Sequence, residues 1–110
     1  MSKAHDQAAA EVFFALGDGT RLSVVRKLSA GGALSATALS EGAHVTRQAI
    51  VKHLQSLDEA GLVAPSRAGR EVRYALTPAP LEDAAGWMET VGADWDRRLA
   101  RLRGKLEGGK

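Results

Sequence analysis

The segment Thr46-Arg47-Gln48-Ala49-Ile50-Val51-Lys52-His53-Leu54-Gln55-Ser56-Leu57-Asp58-Glu59-Ala60-Gly61 contains every signal of a complete helix. Thr46 is an N-cap type, able to accept an orphan N–H of the first turn, and Gly61 supplies a stop. Projected at about 100° per residue, Ile50, His53, Leu54, Leu57 and Ala60 gather on one side, which predicts a face packed on a core. Gln48, Lys52, Gln55 and Glu59 lie opposite, flanked by Arg47, Val51 and Asp58. The outward face of the N-terminal half thus offers an arginine, two glutamines and a lysine, with carboxylates only at the far end, in Asp58 and Glu59.

Upstream, a short helix over residues 36–40 is expected, capped by Ser35, with Ala38 and Leu39 inward. A turn over 41–45 joins it to the quoted segment, which makes 35–60 a helix-turn-helix pattern. Two further helices are read before it. The first spans about 6–16, with Ala9, Val12, Phe13 and Leu16 on one face and Phe14 pointing elsewhere, as in a helix with two buried sides. Gly17 is expected to end it in a left-handed conformation. Asp18 then caps a helix over about 19–30 carrying Leu22, Val24, Val25 and Leu28, closed by Gly31-Gly32. Residues 1–5 are read as frayed, and a Gly-rich tail follows Leu106.

Downstream, residues 62–66 and 71–76 read as an antiparallel hairpin around Ala68-Gly69-Arg70, ended by Thr77-Pro78. The last helix is placed at about 80–107. Its Ala84, Met88, Val91, Trp95, Leu99, Leu102 and Leu106 fall within a stripe about 80° wide, narrower than the face of a helix lying on a core and closer to a helix–helix seam. Gly86 and Gly92 leave open a kink or a late start. Five acids and no base lie between Glu82 and Asp96, and five bases and no acid between Arg97 and Lys105, an order that suits the helix dipole. Two readings stand for the basic run: a solvated helix end, or a partner for the acidic segment of an antiparallel second copy.

The helix-turn-helix followed at once by a basic hairpin defines a winged helix, and this combination points to double-stranded DNA. A helix entering the major groove needs side chains able to read base edges and no like charge against phosphate. Gln48 and Gln55 suit adenine, Arg47 and Lys52 reach guanine or phosphate, and Val51 meets a thymine methyl. Thr46 caps the helix and contacts phosphate. Arg67, Arg70 and Arg73 are expected to cluster around the hairpin tip, entering the minor groove or clamping phosphate. The expected fold is mainly α (α+β), with about five helices and a two-stranded wing in one domain over 1–110: 6–17 and 80–107 for dimerisation, 35–60 for the helix-turn-helix and 62–77 for the wing.

Residues 46–54, Leu57, Ala60-Gly61-Leu62-Val63, Gly69-Arg70 and Tyr74-Ala75-Leu76, with Asp18 and Thr20-Arg21 upstream, resemble the ArsR-type winged-helix transcriptional regulators of prokaryotes. The resemblance covers about residues 8–77. It implies a homodimer through the first and last helices, here Val12, Phe13, Phe14, Met88, Val91, Trp95, Leu99 and Leu102. It also implies a repressor on a palindromic operator that leaves DNA when an effector arrives. Three positions depart from the pattern: Gly19 where proline is usual, Val51 where a serine is common, and His44 where glycine is frequent. His44 is expected to carry a positive φ.

With no cysteine in 110 residues, thiolate metal sites, disulfides and a cysteine nucleophile are excluded. His5, His44 and His53 are dispersed, so neither a metal nor another cofactor is expected. No nucleophile motif or phosphate loop suggests an enzyme. Without a membrane-length apolar run or a signal-peptide ending, the chain is read as soluble and cytoplasmic. Trp95 reads as an interface anchor; Trp87 reads either as packing or as the wall of an organic effector's pocket. The rival to DNA reading is a winged helix used as a protein-interaction module, whose binding is insensitive to salt.

Overall fold

In the computed structural model, which describes residues 2–108, five helices surround a small antiparallel sheet. The elements are α1 (Lys3–Leu16), α2 (Gly19–Gly31), β1 (Leu34–Ser35), α3 (Ala36–Ser40), α4 (Arg47–Glu59), β2 (Val63–Ala68), β3 (Glu71–Leu76) and α5 (Pro78–Gly108). Each of the first four helices starts where a side-chain oxygen caps it. Ser2 accepts from His5 N, Asp18 from Arg21 N, Ser35 from Ala38 N and Thr46 from Ala49 N. The Ser2 cap corrects the expectation of a frayed start, since residues 3–5 are helical; Met1 lies outside the described residues.

Helix ends show a second correction. Gly17 has φ −76°, so no left-handed residue ends α1. Glycine fits there because a Cβ would meet Phe13 O at 3.3 Å and Phe14 O at 3.4 Å. The exposed carbonyl end of α1 is taken up by Arg21, whose Nε donates to Ala15 O at 2.6 Å. By contrast, α4 closes as the sequence implies. Gly61 adopts φ 76°, with Leu62 N donating to Leu57 O and Gly61 N to Asp58 O, a Schellman pair sealed by the buried Leu57 and Leu62.

The core gathers Val24 and Leu28 of α2, Leu39 of α3, Ile50, Leu54 and Leu57 of α4, and Leu62 and Val63 at the hairpin base. Leu22 is 45% exposed, because its position turns it off the Val24–Leu28 face. Ala36 is buried where only Ala38 and Leu39 were expected, and Ala38 is half-buried. The sheet has three strands in the order β1-β3-β2, not two. Leu34 and Ser35 pair with Tyr74 and Arg73, fastening the start of α3 to the wing. The hairpin loop is the two residues Gly69-Arg70, because Ala68 still pairs with Glu71. Gly69 at φ 66° supplies the first residue of a type II′ turn. Pro78 opens α5 at a first helical position, where a missing N–H costs nothing, two residues earlier than expected.

The Asp18 carboxyl is held below its ordinary 3.8. The main cause is the Arg21 backbone N–H; the charges of His53 and Arg21 add to it against partial desolvation. A depressed carboxylate adds stability that is full above the unfolded value and is lost as pH falls through the folded value. Asp18→Asn should therefore flatten the acid limb of a stability-versus-pH curve below about pH 4. Unfolding by urea at pH 3 and pH 6 measures it, and an unchanged limb would remove Asp18 from the account.

Candidate nucleic-acid interface

The cap at Thr46 and the burial of Ile50, Leu54 and Leu57 fix how α4 is rotated on the core, and so which side chains face outward. Gln48, Lys52 and Gln55 are exposed, as is the flanking Arg47. His53 is half-buried at the inner flank, with Nδ1 3.8 Å from Asp18 Oδ2, which ties α4 to the start of α2. Asp58 and Glu59 are exposed only at the far end of the helix. Val51 departs from its expected place: half-buried against the core, it forms a wall of the groove between α3, α4 and the wing.

Arg70, Glu71, Val72 and Tyr74 line the opposite side of that groove, and Glu41 closes one end. The alternation of the hairpin separates its arginines. Arg67 stands opposite Val72, on the face that continues through Pro65–Tyr74 to the core pair Val63–Leu76. Arg73 stands opposite Ser66, on the other face, and its guanidinium donates to Glu71 Oε2 at 3.2 Å. The expected cluster of three at the tip is therefore two: Arg67 on the inner face and Arg70 in the turn. Neither has an acidic partner among the described residues. His44 keeps a negative φ, because the interhelical turn takes its left-handed residue at Gly42, φ 74°.

One contact was not legible in the sequence. Arg47 Nε donates to Thr37 Oγ1 at 3.1 Å, joining the first turn of α4 to α3. A threonine ten positions upstream carries no local signal for it.

At the other end of the molecule, α5 runs unbroken through Gly86 and Gly92. At about 1.5 Å per residue it extends some 46 Å. Its first turns pack on α1: Ala84 is buried, and Trp87 stacks edge-on against Phe13 with centroids 5.5 Å apart. The Trp87 indole donates to Asp6 Oδ1 at 2.8 Å, and the same side chain lines a cavity between α1 and α5, so its packing role and its place on a pocket wall coexist. From Met88 to Glu107 every residue is exposed, including Met88, Val91, Trp95, Leu99, Leu102 and Leu106. Phe14, on α1, is 82% exposed. Val12 is only 4% exposed and Phe13 is covered by Trp87, so these two serve the chain's own core. Arg97 pairs with Asp94 one turn back on its own helix, and Arg98 lies over the Trp95 ring. Among the described residues, no three of His, Asp and Glu converge as a metal site.

A capped helix with an amide-and-cation face, set beside a basic hairpin, defines a winged helix-turn-helix DNA-binding unit. Comparison with known proteins agrees. Residues 16–65 match a family model described as a helix-turn-helix domain. The chain is 31% identical over 77 residues to the transcriptional repressor SdpR of Bacillus subtilis (strain 168), covering 70% of this chain and 84% of that one. It superposes on an ArsR-like transcriptional regulator from Rhodococcus sp. RHA1 with TM-score 0.77 and 42% identity, over 88% of this chain and 91% of that one. The homodimeric winged helix-turn-helix DNA-binding domain of Mb0332 from Mycobacterium bovis, a possible ArsR-family regulator, matches with TM-score 0.62 and 27% identity, over 90% and 91% of the two chains. The chain belongs to the ArsR family of winged helix-turn-helix transcriptional regulators, and it is a DNA-binding regulator of transcription.

Proposed function

We propose that two copies of the chain pair through α1 and α5 and repress transcription from the cytoplasm by occupying a palindromic operator. The observation that carries the pairing is the α5 seam: six large apolar side chains on one stripe, all exposed in the single chain. A row of that kind marks a protein–protein surface. The homodimeric state of Mb0332 and the repressor role of SdpR support the same reading. Twofold symmetry then sets two copies of α4 about one DNA turn apart, which requires inverted half-sites.

In this reading Gln48, Lys52 and Gln55 face base edges, with Val51 at the groove wall, while Thr46, Arg67 and Arg70 hold the backbone. Arg73, tied to Glu71, contributes to the wing's shape and charge. A small-molecule effector would act through the α1–α5 junction, since that junction sets the spacing of the paired recognition helices.

Two substitutions test base reading against backbone holding. Gln48→Ala should cost about 1–3 kcal/mol on the selected operator and relax preference at one position. Arg70→Ala should weaken all sequences alike and reduce the salt slope by about one unit. Both are measured on a duplex selected from a random pool and on random-sequence duplex, across a salt series. Equal loss on both duplexes for Gln48→Ala would refute its base contact. Salt-insensitive binding of the unaltered protein, with no shift of any duplex, would favour a protein-interaction module instead.

A further inference from the structure

Among the outward cations of α4, Arg47 is the one whose guanidinium is already engaged. Its Nε donates to Thr37 Oγ1, on the second residue of α3, and both side chains are exposed. Among the described residues no carboxylate pairs with it. A side chain held at Nε does not extend straight from α4 towards a base edge; it is drawn sideways, to α3. In a helix-turn-helix, that first helix crosses the sugar–phosphate backbone while the second occupies the groove. The two terminal amino groups of Arg47 keep their donors free, in the fixed fork that matches a pair of phosphate oxygens.

We propose that Arg47 is a phosphate clamp aimed by Thr37, and that base reading begins one residue later, at Gln48. Thr37 is a positioning residue: it orients the fork without itself needing to touch DNA. The clamp fixes the depth and register of α4 from the α3–α4 junction, where Thr37 and Arg47 join the two helices. This rests on α4 entering the major groove.

The test measures Arg47→Ala, Arg47→Lys, Thr37→Val and the Thr37→Val/Arg47→Ala double variant on the selected duplex and on random-sequence duplex, over a salt series, with Gln48→Ala in parallel. Arg47→Ala should weaken both duplexes by the same factor, about tenfold, and lower the salt slope by about one unit. Arg47→Lys should keep the slope but lose affinity, since the charge remains and the fork does not. Thr37→Val should weaken binding less than Arg47→Ala and add nothing in its background, the signature of a coupled pair. Thermal melts should be unchanged, because both side chains are exposed. Relaxed preference at one base pair for Arg47→Ala, with random binding intact, would overturn the clamp, as would additive losses in the double variant. A base-selective loss for Gln48→Ala keeps α4 in the groove whichever way Arg47 falls. If neither Gln48→Ala nor Arg47→Ala alters binding, the groove reading and the clamp fall together.

Discussion

Trp95→Ala is expected to turn a dimer into a monomer at micromolar concentration and, with it, to abolish operator binding. Trp95 sits in the middle of the α5 seam, 56% exposed in the single chain, with Arg98 over its ring. Tryptophan dominates such interfaces: truncating one at a well-packed centre costs about 2 kcal/mol or more. Twofold symmetry counts that loss twice, so the dimer constant should weaken by about a thousandfold. The folded single chain should survive, because the side chain contributes nothing to the core around Leu39, Ile50 and Leu54. Sedimentation equilibrium of the two proteins measures the constant, and a circular dichroism spectrum checks that α5 stays helical. An unchanged dimer constant would show that the seam is covered in some other way.

Leu54→Ala acts at the opposite pole. Leu54 is fully buried at the centre of α4, where Leu39, Ile50 and Leu57 of the same core are also closed to solvent. Removing its side chain leaves a cavity that rigid helices fill poorly, at a cost of about 2–5 kcal/mol. For a domain of this size each kcal/mol shifts the midpoint by roughly 4–8 °C, so a fall of at least about 8 °C is expected. Melts should be run at several protein concentrations, since dimerisation raises the apparent midpoint. A loss below 1 kcal/mol would mean that the inner face of α4 is not the keel of the fold.

Much of this was readable before any coordinates. Asp18, Ser35 and Thr46 announce helices α2, α3 and α4 because a cap is a local event, settled within three residues. Gly61 marks the end of α4 and Gly69 the turn of the wing in the same local way, since each takes a positive φ. What escaped depends on distant partners. Strand β1 is two residues long and exists only because Tyr74 and Arg73 lie beside it, so no periodicity within 34–35 could show it. Gly17 carries an end-of-helix residue type, yet the end is satisfied by Arg21, six residues on from the carbonyl it meets. Ala36 is too small to signal burial.

The interface residues divide in the same way. Helical projection separated Gln48, Lys52 and Gln55 from the core side, because one buried face fixes the rotation of the whole helix. It set Phe14 apart from Val12 on α1 but did not show which of the two sides the chain's own core covers, since both sides are apolar. Nor did the arginine count in the wing show that alternation along the strands puts Arg67 and Arg73 on opposite faces. The link between Thr37 and Arg47 joins two helices across a turn, and lies beyond any pattern in either one.

The claim on which the account stands is that the N-terminal half of α4 lies in the major groove. Because the chain has no cysteine, Gln48→Cys creates a single attachment point for an iron chelate that cleaves nearby DNA. Bound to the selected duplex, the labelled protein should cut at two places about 10–10.5 base pairs apart, symmetric about the centre of the site. Scattered cuts, or strong cuts only from a label placed on α5, would contradict it.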